Sequence, residues 1–421
     1  MTSKGQTLGS ESSTDTPRPA PFRWWLHRLC VLACLIVAVI GVRLFNAEPP
    51  RLPEIPVIKL DDFDPEIAEA IQFARFAVEQ KPRSITAWSQ LAMVLHAHGF
   101  EDSAVVCYSA TATLDARTFL WPYLQGIVLS KSPGGPVAAL PCFERAVSLS
   151  PSDPLPRLWL AEMLLEVNRL DEAGKELGKV LAADPNNDRA KFGMGQLAVA
   201  RRQYDEALPY LRAVAENPSS RRSSCALRAV AYERVGEHAI AESERRRLAE
   251  LPQDGSWPDD AAQQISKRRV GLVARLNQVR QYGIQGRVPD AIALLQDTVQ
   301  RYPKSDETWF SLGKVLFISN DPVGAKRALL KSIELAPNDA EYTFTLGFVE
   351  LSQRNHEEAA KFFRMAVELK PLDGRAHFGL GECLQALGDL KGAADAYRVT
   401  LQCLPDHDLA RQRLEKLAGE P

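Results

Sequence analysis

Apolar residues follow two stripes at helical spacing in each of a series of blocks along this chain, and the blocks repeat every 34 residues. In the block of residues 306–339, the first stripe includes Leu312 and Leu316, and the second includes Ala325 and Leu329. A short polar turn separates the stripes, which indicates two amphipathic helices. Such a pair cannot bury its apolar faces alone, so the period predicts an all-α stack of helix-turn-helix units.

One alanine of the second stripe counts the units because it recurs in register. It stands at Ala70, Ala104, Ala139, Ala173, Ala207, Ala241, Ala291, Ala325, Ala359 and Ala393. Successive positions are 34 or 35 residues apart, except for a step of 50 between Ala241 and Ala291. We therefore predict ten second helices and one insertion of about 16 residues.

The blocks resemble the tetratricopeptide repeat. The resemblance is carried by a small residue in the first helix, the alanine of the second helix and a proline at the end of the block: Gly313, Ala325 and Pro337, then Gly347, Ala359 and Pro371, then Gly381, Ala393 and Pro405. It implies a right-handed superhelical solenoid, a general role in binding proteins and no catalytic activity. At the glycine positions a large side chain would overpack the contact between the two helices.

The insertion divides the predicted solenoid into two arrays. We expect an N-terminal array at residues 66–252, an insertion with an extended helix at 253–271, a C-terminal array at 272–407 and a capping helix at 408–421. The extended helix is predicted to run from Ala261 without a break into the next unit. Trp257 is a large side chain in a predicted loop, and it either packs on the end of the preceding unit or contacts a partner.

The N-terminal residues differ from the repeats in composition. Residues 1–23 are rich in small and polar residues and predict a disordered tail, and residues 46–65 predict a proline-rich spacer. Residues 24–45 predict a transmembrane signal-anchor, because 22 residues of helix reach roughly 33 Å. A cleaved secretory signal and a lipid-attachment site at Cys34 are the alternatives.

The orientation of this anchor is weakly specified, since positive charges flank it on both sides. A short tail before a signal-anchor usually stays inside, which predicts a single-pass membrane protein with exported repeats, periplasmic if the protein is bacterial. Repeats that face the cytosol, as in receptors of organelle outer membranes, are the alternative.

Composition and motifs argue against several other classes of function. The net charge of −2 over 421 residues gives no basic excess for nucleic acid. The sequence has no phosphate-binding loop, HExxH, Gly-x-Ser-x-Gly or CxxC motif, so we predict no cofactor, metal site or small-molecule substrate. His96 and His98 are two residues apart on a predicted helix and point to different faces, which suits a metal poorly.

A ladder of apolar residues is the strongest candidate for a binding surface. The resemblance implies that the fifth position of each first helix faces the concave groove, and nearby positions share that groove. The predicted partner-binding residues are Phe192, Leu276, Phe310, Lys314, Phe317, Phe344, Phe348 and Phe378. Groove aromatics are typical anchors for a partner helix or peptide, but these rings could instead complete the core between neighbouring first helices.

Together these features predict a membrane-tethered scaffold, without catalytic activity, that binds partner proteins or amphipathic peptides through its concave groove. Envelope assembly and protein maturation would both suit such a scaffold. A permanent accessory subunit of a membrane complex is the alternative. The groove positions carry few cations, so a free terminal carboxylate is not the expected ligand.

Overall fold

The computed structural model describes residues 50–132 and 134–419, which contain twenty-one α-helices and no strand. All of these helices lie in a compact unit of residues 54–421, and the described residues before it, 50–53, form no helix. The predicted tail at 1–23, the anchor at 24–45 and the start of the spacer lie outside the described residues. Within the described ranges, no helix is long and apolar enough to cross a membrane.

Nine antiparallel pairs make up most of the unit, as the period predicts. The pairs are α2 (Ile85–Ala97) with α3 (Glu101–Leu114), α4 (Leu120–Lys131) with α5 (Gly135–Leu149), α6 (Pro154–Glu166) with α7 (Leu170–Ala183), α8 (Asp188–Ala200) with α9 (Tyr204–Ala213), α10 (Arg221–Arg234) with α11 (His238–Glu250), α13 (Leu272–Ile284) with α14 (Val288–Arg301), α15 (Asp306–Ile318) with α16 (Pro322–Leu335), α17 (Ala340–Ser352) with α18 (His356–Leu369), and α19 (Gly374–Ala386) with α20 (Leu390–Cys403).

Three further helices stand outside these pairs. They are α1 (Pro65–Gln80), α12 (Asp260–Ser266) and α21 (Asp408–Gly419). Because α1 carries the alanine of a second helix, the ten predicted second helices are all present. Helix α21 packs on the last pair through Ala410 and Leu414, where a capping helix is predicted.

Close approach within a pair depends on a small residue where the first helix carries one. A Cβ atom added to Gly313 would lie 2.6 Å from Leu329 Cγ, and one added to Gly381 would lie 2.6 Å from Tyr397 Cε1. These separations are shorter than carbon atoms tolerate, so the predicted role of glycine is confirmed. The alanine of the second helix is fully buried in most pairs, but Ala70 of α1 is partly exposed.

Each pair turns through a residue in the left-handed region of the backbone. Glycine takes this place at Gly99, Gly134, Gly236, Gly286 and Gly388, with φ between 70° and 92°. Asn168, Arg202, Asn320 and Arg354 take it in the other pairs, with φ between 59° and 65°. A side chain is disfavoured at positive φ, so these turns are held by the packing of the helices that they join.

The predicted extended helix is wrong, because α12 and α13 are separated by residues 267–271. Gly271 adopts φ 94°, and its amide donates to Glu66 Oε2 at 3.2 Å. The Leu272 amide donates to Asp64 Oδ2 at 2.8 Å. Carboxylates of α1 and its cap therefore bind amide groups that a continuous helix would have bonded internally.

Part of the predicted spacer packs on the array instead of standing apart from it. The Phe63 ring lies 5.0 Å from the Phe100 ring between centroids. The Pro56 carbonyl accepts a hydrogen bond from Arg75 at 2.6 Å. Residues 56–63 are thus fixed to the first helices.

Candidate functional site: an occupied groove and an open groove

The insertion lies along the first helices of the N-terminal array, which carry most of its contacts. It begins beside α10, where Asp254 accepts hydrogen bonds from the amides of Arg222 at 2.7 Å and Ser223 at 2.8 Å. Burial raises the pKa of Asp254, but these hydrogen bonds outweigh it and hold the pKa below its usual value. The carboxylate thus satisfies amides at the amino end of α10 that have no partner within the helix.

Trp257 is the apolar anchor of the insertion. Its ring lies 6.2 Å from the ring of Phe192 between centroids, in a cluster that includes Leu211 of α9. Its helical buried members come from the fourth pair, and Leu227 of α10, in the fifth pair, packs against the same cluster. Trp257 therefore packs within the molecule, where the fourth pair meets the fifth.

Asp259 is the polar anchor. Its carboxylate accepts a hydrogen bond of 2.5 Å from the Tyr123 hydroxyl of α4, and both residues are buried. Burial and the neighbouring carboxylate raise the pKa of Tyr123, so the hydroxyl keeps its proton and remains the donor. Asp259 also caps α12 by accepting from the Ala262 amide at 2.9 Å, and α12 then packs on α2 and α4.

After α12 the chain reaches the first helix of the array. The Val270 amide donates to His98 Nε2 at 3.4 Å. Arg275 of α13 donates to both oxygens of Glu66, with a shortest distance of 2.7 Å, and the Tyr302 hydroxyl donates to Asp64 at 2.8 Å. The C-terminal array therefore starts against α1, more than 200 residues away in sequence.

The first helices of the C-terminal array instead border an open cleft of about 920 Å³. Its apolar lining includes Leu276, Ile284, Phe310 and Ile318, from α13 and α15. Ile284 and Ile318 are 73% and 72% exposed, so these apolar side chains face solvent in the free protein. The two grooves thus differ in what lies in them. The N-terminal groove holds the insertion, whereas the apolar lining of the C-terminal cleft faces solvent.

The structure divides the predicted partner-binding residues between the two grooves. Phe192 is 9% exposed, and Trp257 packs on it. Three of the others, Leu276, Phe310 and Lys314, line the open cleft. The remaining four lie farther along the C-terminal array: Phe317, Phe344, Phe348 and Phe378. That a partner contacts these residues stays a prediction.

The rings of Phe310, Phe344 and Phe378 are half-buried and pack on rings outside the predicted set. Phe317 and Phe348 instead contact each other edge to face, with centroids 5.8 Å apart. Phe310 packs on Tyr342 with centroids 4.5 Å apart. Phe344 packs on Phe363 at 5.8 Å, and Phe378 packs on Tyr397 at 5.8 Å. Each ring therefore contributes to the core and leaves only part of its surface for a ligand.

Cations cover part of that remaining surface. Lys314 Nζ lies 5.1 Å from the centroid of the Phe310 ring, and the Arg375 guanidinium lies 4.7 Å from that of Phe344. Arg375 is itself held by Glu341 and Asp373, each at 2.8 Å. The hydrogen bond from Arg375 is the largest cause that lowers the pKa of Asp373. The arrangement favours a ligand with both apolar and charged groups.

Carboxylates form one wall of the open cleft: Asp306, Glu307, Asp339 and Glu341. Asp306 accepts a hydrogen bond of 2.8 Å from Tyr342. Burial and this carboxylate raise the pKa of Tyr342, so its hydroxyl remains a donor. Arg280 and Lys314 line the same cleft, so its lining carries charges of both signs.

Sequence reasoning missed the residues that hold the insertion. Tyr123 occupies a first-helix position like those of the ladder, and an aromatic residue there was the available signal. No sequence signal pairs it with Asp259, since 136 residues separate them. Arg375 and Tyr342 were missed for the same reason, because their partners come from neighbouring units.

Comparison with known proteins agrees with this architecture. Two sequence profiles, both described as "Tetratricopeptide repeat", match residues 134–191 and 164–229 in one case and 276–340, 319–374 and 344–408 in the other. Together the matches cover more than half of the chain. No curated protein sequence matches the chain.

Several solved structures resemble parts of the chain. "Crystal structure of MamA" is 23% identical with a TM-score of 0.32, and covers 33% of this chain and 81% of its own. "Crystal structure of YrrB: a TPR protein with an unusual peptide-binding site" is 18% identical with a TM-score of 0.26, and covers 65% and 97%. "First TPR of Spaghetti (RPAP3) bound to HSP90 peptide SRMEEVD" is 18% identical with a TM-score of 0.27, and covers 27% and 90%.

Proposed function

Since the chain belongs to the tetratricopeptide-repeat family, we propose that it is a scaffold without catalytic activity. We further propose that its C-terminal groove binds an amphipathic helix or peptide of a partner protein. The observation that carries the proposal is the contrast between the two grooves. The N-terminal groove holds residues 254–265 of the insertion, whereas no segment of the described residues lies in the C-terminal cleft of about 920 Å³.

The lining of the open cleft favours an amphipathic partner. Leu276, Ile284 and Ile318 offer apolar surface to one face of a helix. Burying a Leu or Phe side chain of the partner there contributes about 1.5–3 kcal/mol. The carboxylates along the edge favour lysine or arginine on the partner's polar face, and they disfavour a free terminal carboxylate.

Residues 24–45 extend the proposal to a membrane. Their composition suits a signal-anchor, and we propose that it holds the repeats at a membrane with the arrays exported. A tether of this kind raises the local concentration of a bound partner at the membrane surface, without any new contact. Envelope assembly and protein maturation are processes that would use such recruitment.

A charge placed on the exposed floor of the cleft tests the proposal. Ile318→Glu should abolish partner binding with little loss of stability, because the side chain is 72% exposed. Val323→Glu is the matched control, since Val323 is 67% exposed in the same helix pair but does not line the cleft.

The measurement is a cross-linked pull-down from native membranes with quantification of each captured protein. A partner reduced at least about tenfold in the Ile318 variant and retained in the Val323 variant supports the groove. Equal capture by both variants and the wild type contradicts it. Purified partner and circular dichroism of each variant separate lost binding from lost folding.

A further inference from the structure

We propose that residues 254–265 are a built-in ligand, and that the N-terminal groove is a second peptide-binding site. Its ligand would be a segment in which a tryptophan is followed two residues later by an aspartate that begins a short helix. This groove is separate from the open cleft, so either proposal can fail without the other.

The segment is held in the way that a bound peptide is held, by anchors on three of the five first helices of the N-terminal array. Asp254 binds amides of α10, Trp257 packs on Phe192 of α8, and Asp259 binds Tyr123 of α4. Ile265, which is buried, follows on α12. The segment thus crosses the array from its last pair towards its first.

The two central anchors specify the ligand's chemistry. Trp257 joins an apolar cluster around Phe192 and Leu211, where a polar side chain would be desolvated without a partner. Asp259 is 6% exposed and Tyr123 is 1% exposed, so the Tyr123 hydroxyl and Asp259 Oδ2 form their hydrogen bond away from solvent, where losing it is costly. An asparagine would keep the size of the aspartate and lose the charge that makes this bond strong.

Backbone contacts fix the direction in which the segment runs. The Gly255 amide donates to the Pro218 carbonyl at 2.9 Å, and the Ser219 hydroxyl donates to the Ser256 carbonyl at 3.0 Å. These hydrogen bonds involve the main chain of the segment and not its side chains. They would therefore form with any segment that carries the tryptophan and the aspartate.

The cleft beside Trp257 offers a competing ligand a first contact with this groove. Trp257 borders an open cleft of about 510 Å³, also lined by Leu158, Arg189 and Ser219. The tether gives the built-in segment an effective concentration on the order of millimolar, so a free peptide at micromolar concentration cannot displace it. The wild-type groove is therefore closed to weak ligands and open to a tighter or multivalent one.

The test uses the full chain with its own segment weakened. The variant Trp257→Ala/Asp259→Asn is mixed with a labelled peptide of residues 252–268 in the native sequence, and binding is followed by fluorescence anisotropy. We expect the variant to bind the peptide at least about tenfold more tightly than the wild type does, because the anchors of the competing segment are gone. A peptide that carries the same two changes should bind neither protein.

Two results would overturn the proposal. One is equal affinity of wild type and folded variant for the native peptide, and the other is equal affinity of the variant for the native and the changed peptide. Asp259→Asn alone is the second variant, since it keeps the size of the side chain and endangers folding less. It should bind the native peptide severalfold more tightly than the wild type, and adding Tyr123→Phe should remove that gain. Failure of either expectation in folded protein also refutes the site.

Discussion

The ion pair between Glu66 and Arg275 joins α1 to the C-terminal array, and its loss is predicted to be measurable. Arg275 donates to Glu66 Oε1 at 2.7 Å and 3.0 Å and to Oε2 at 3.1 Å, and the side chains of Glu66 and Arg275 are 14% and 16% exposed. The hydrogen bond that Arg275 donates to Glu66 is the largest cause that raises the pKa of Arg275. Burial alone would raise the pKa of Glu66, but its bonds to Arg275 and Gly271 lower it instead.

The size of the effect follows from this partial burial. Exposed ion pairs contribute about 0–1 kcal/mol, whereas breaking a buried pair costs about 3–5 kcal/mol. This pair lies between those limits, so we expect a coupling energy of about 1–2 kcal/mol. Glu66 also binds Arg301 at 3.2 Å, and a double-mutant cycle separates that contact from the pair.

The assay compares Glu66→Gln, Arg275→Gln and the double variant with the wild type by urea unfolding, followed by circular dichroism. Repeat arrays can unfold in parts, so hydrogen exchange of the α1 amides is measured in the same variants and should accelerate. The exposed pair of Glu233 and Arg245, which joins neighbouring helices, is the control and should show no measurable coupling. A coupling below about 0.5 kcal/mol with unchanged exchange in α1 would refute the contact between the arrays.

Three further predictions concern the repeats themselves. Ala359→Leu overpacks a fully buried site and should lower the free energy of unfolding by about 1–3 kcal/mol, measured with urea. Ala70→Leu, at the partly exposed equivalent position, should change the free energy of unfolding little. Similar losses of stability in the two variants would contradict this account of the packing. Arg354→Gly should raise the melting temperature, because glycine adopts a positive φ, here 59°, without strain, as Gly388 does at the equivalent position. The gain in stability should be up to about 1 kcal/mol. A lower melting temperature would show that the arginine side chain makes a contact that stabilises the protein. Burial lowers the pKa of His96 from 6.5 to about 4, so the stability that its neutral form carries is complete above about pH 6.5 and is lost as the pH falls towards 4. His96→Gln should therefore weaken the dependence of the melting temperature on pH between those values. An unchanged pH dependence in the variant would contradict this.

Much of the fold could be predicted from residues that meet their partners within one unit. The spacing of the alanines gave ten second helices, because Ala325 and Leu329 must face the glycine of their own pair. The binding surface was predicted less completely. Phe310, Phe344 and Phe378 lie on first helices, but how far each ring is buried depends on the rotation of neighbouring units, which no periodicity records.

The insertion shows where sequence patterns stop being informative. Its composition indicated a helix from Ala261 that continues into the next unit, since nothing local interrupts the pattern strongly. The structure interrupts that helix over residues 267–271, and at the end of the break Glu66 and Asp64 bind the amides of Gly271 and Leu272. A contact between residues more than 200 positions apart in sequence thus overrode the local preference for a continuous helix.

By itself, the sequence determined the helix pairs, their number and their glycine and alanine contacts, because a repeat buries its apolar face against its immediate neighbours. Only the tertiary structure decided that Trp257 and Asp259 fill the N-terminal groove, that α13 starts against α1, and that the open cleft lies in the C-terminal array. The physical reason is that small rotations between successive units add up along the array. Their sum determines which distant residues meet, and no single repeat encodes that sum.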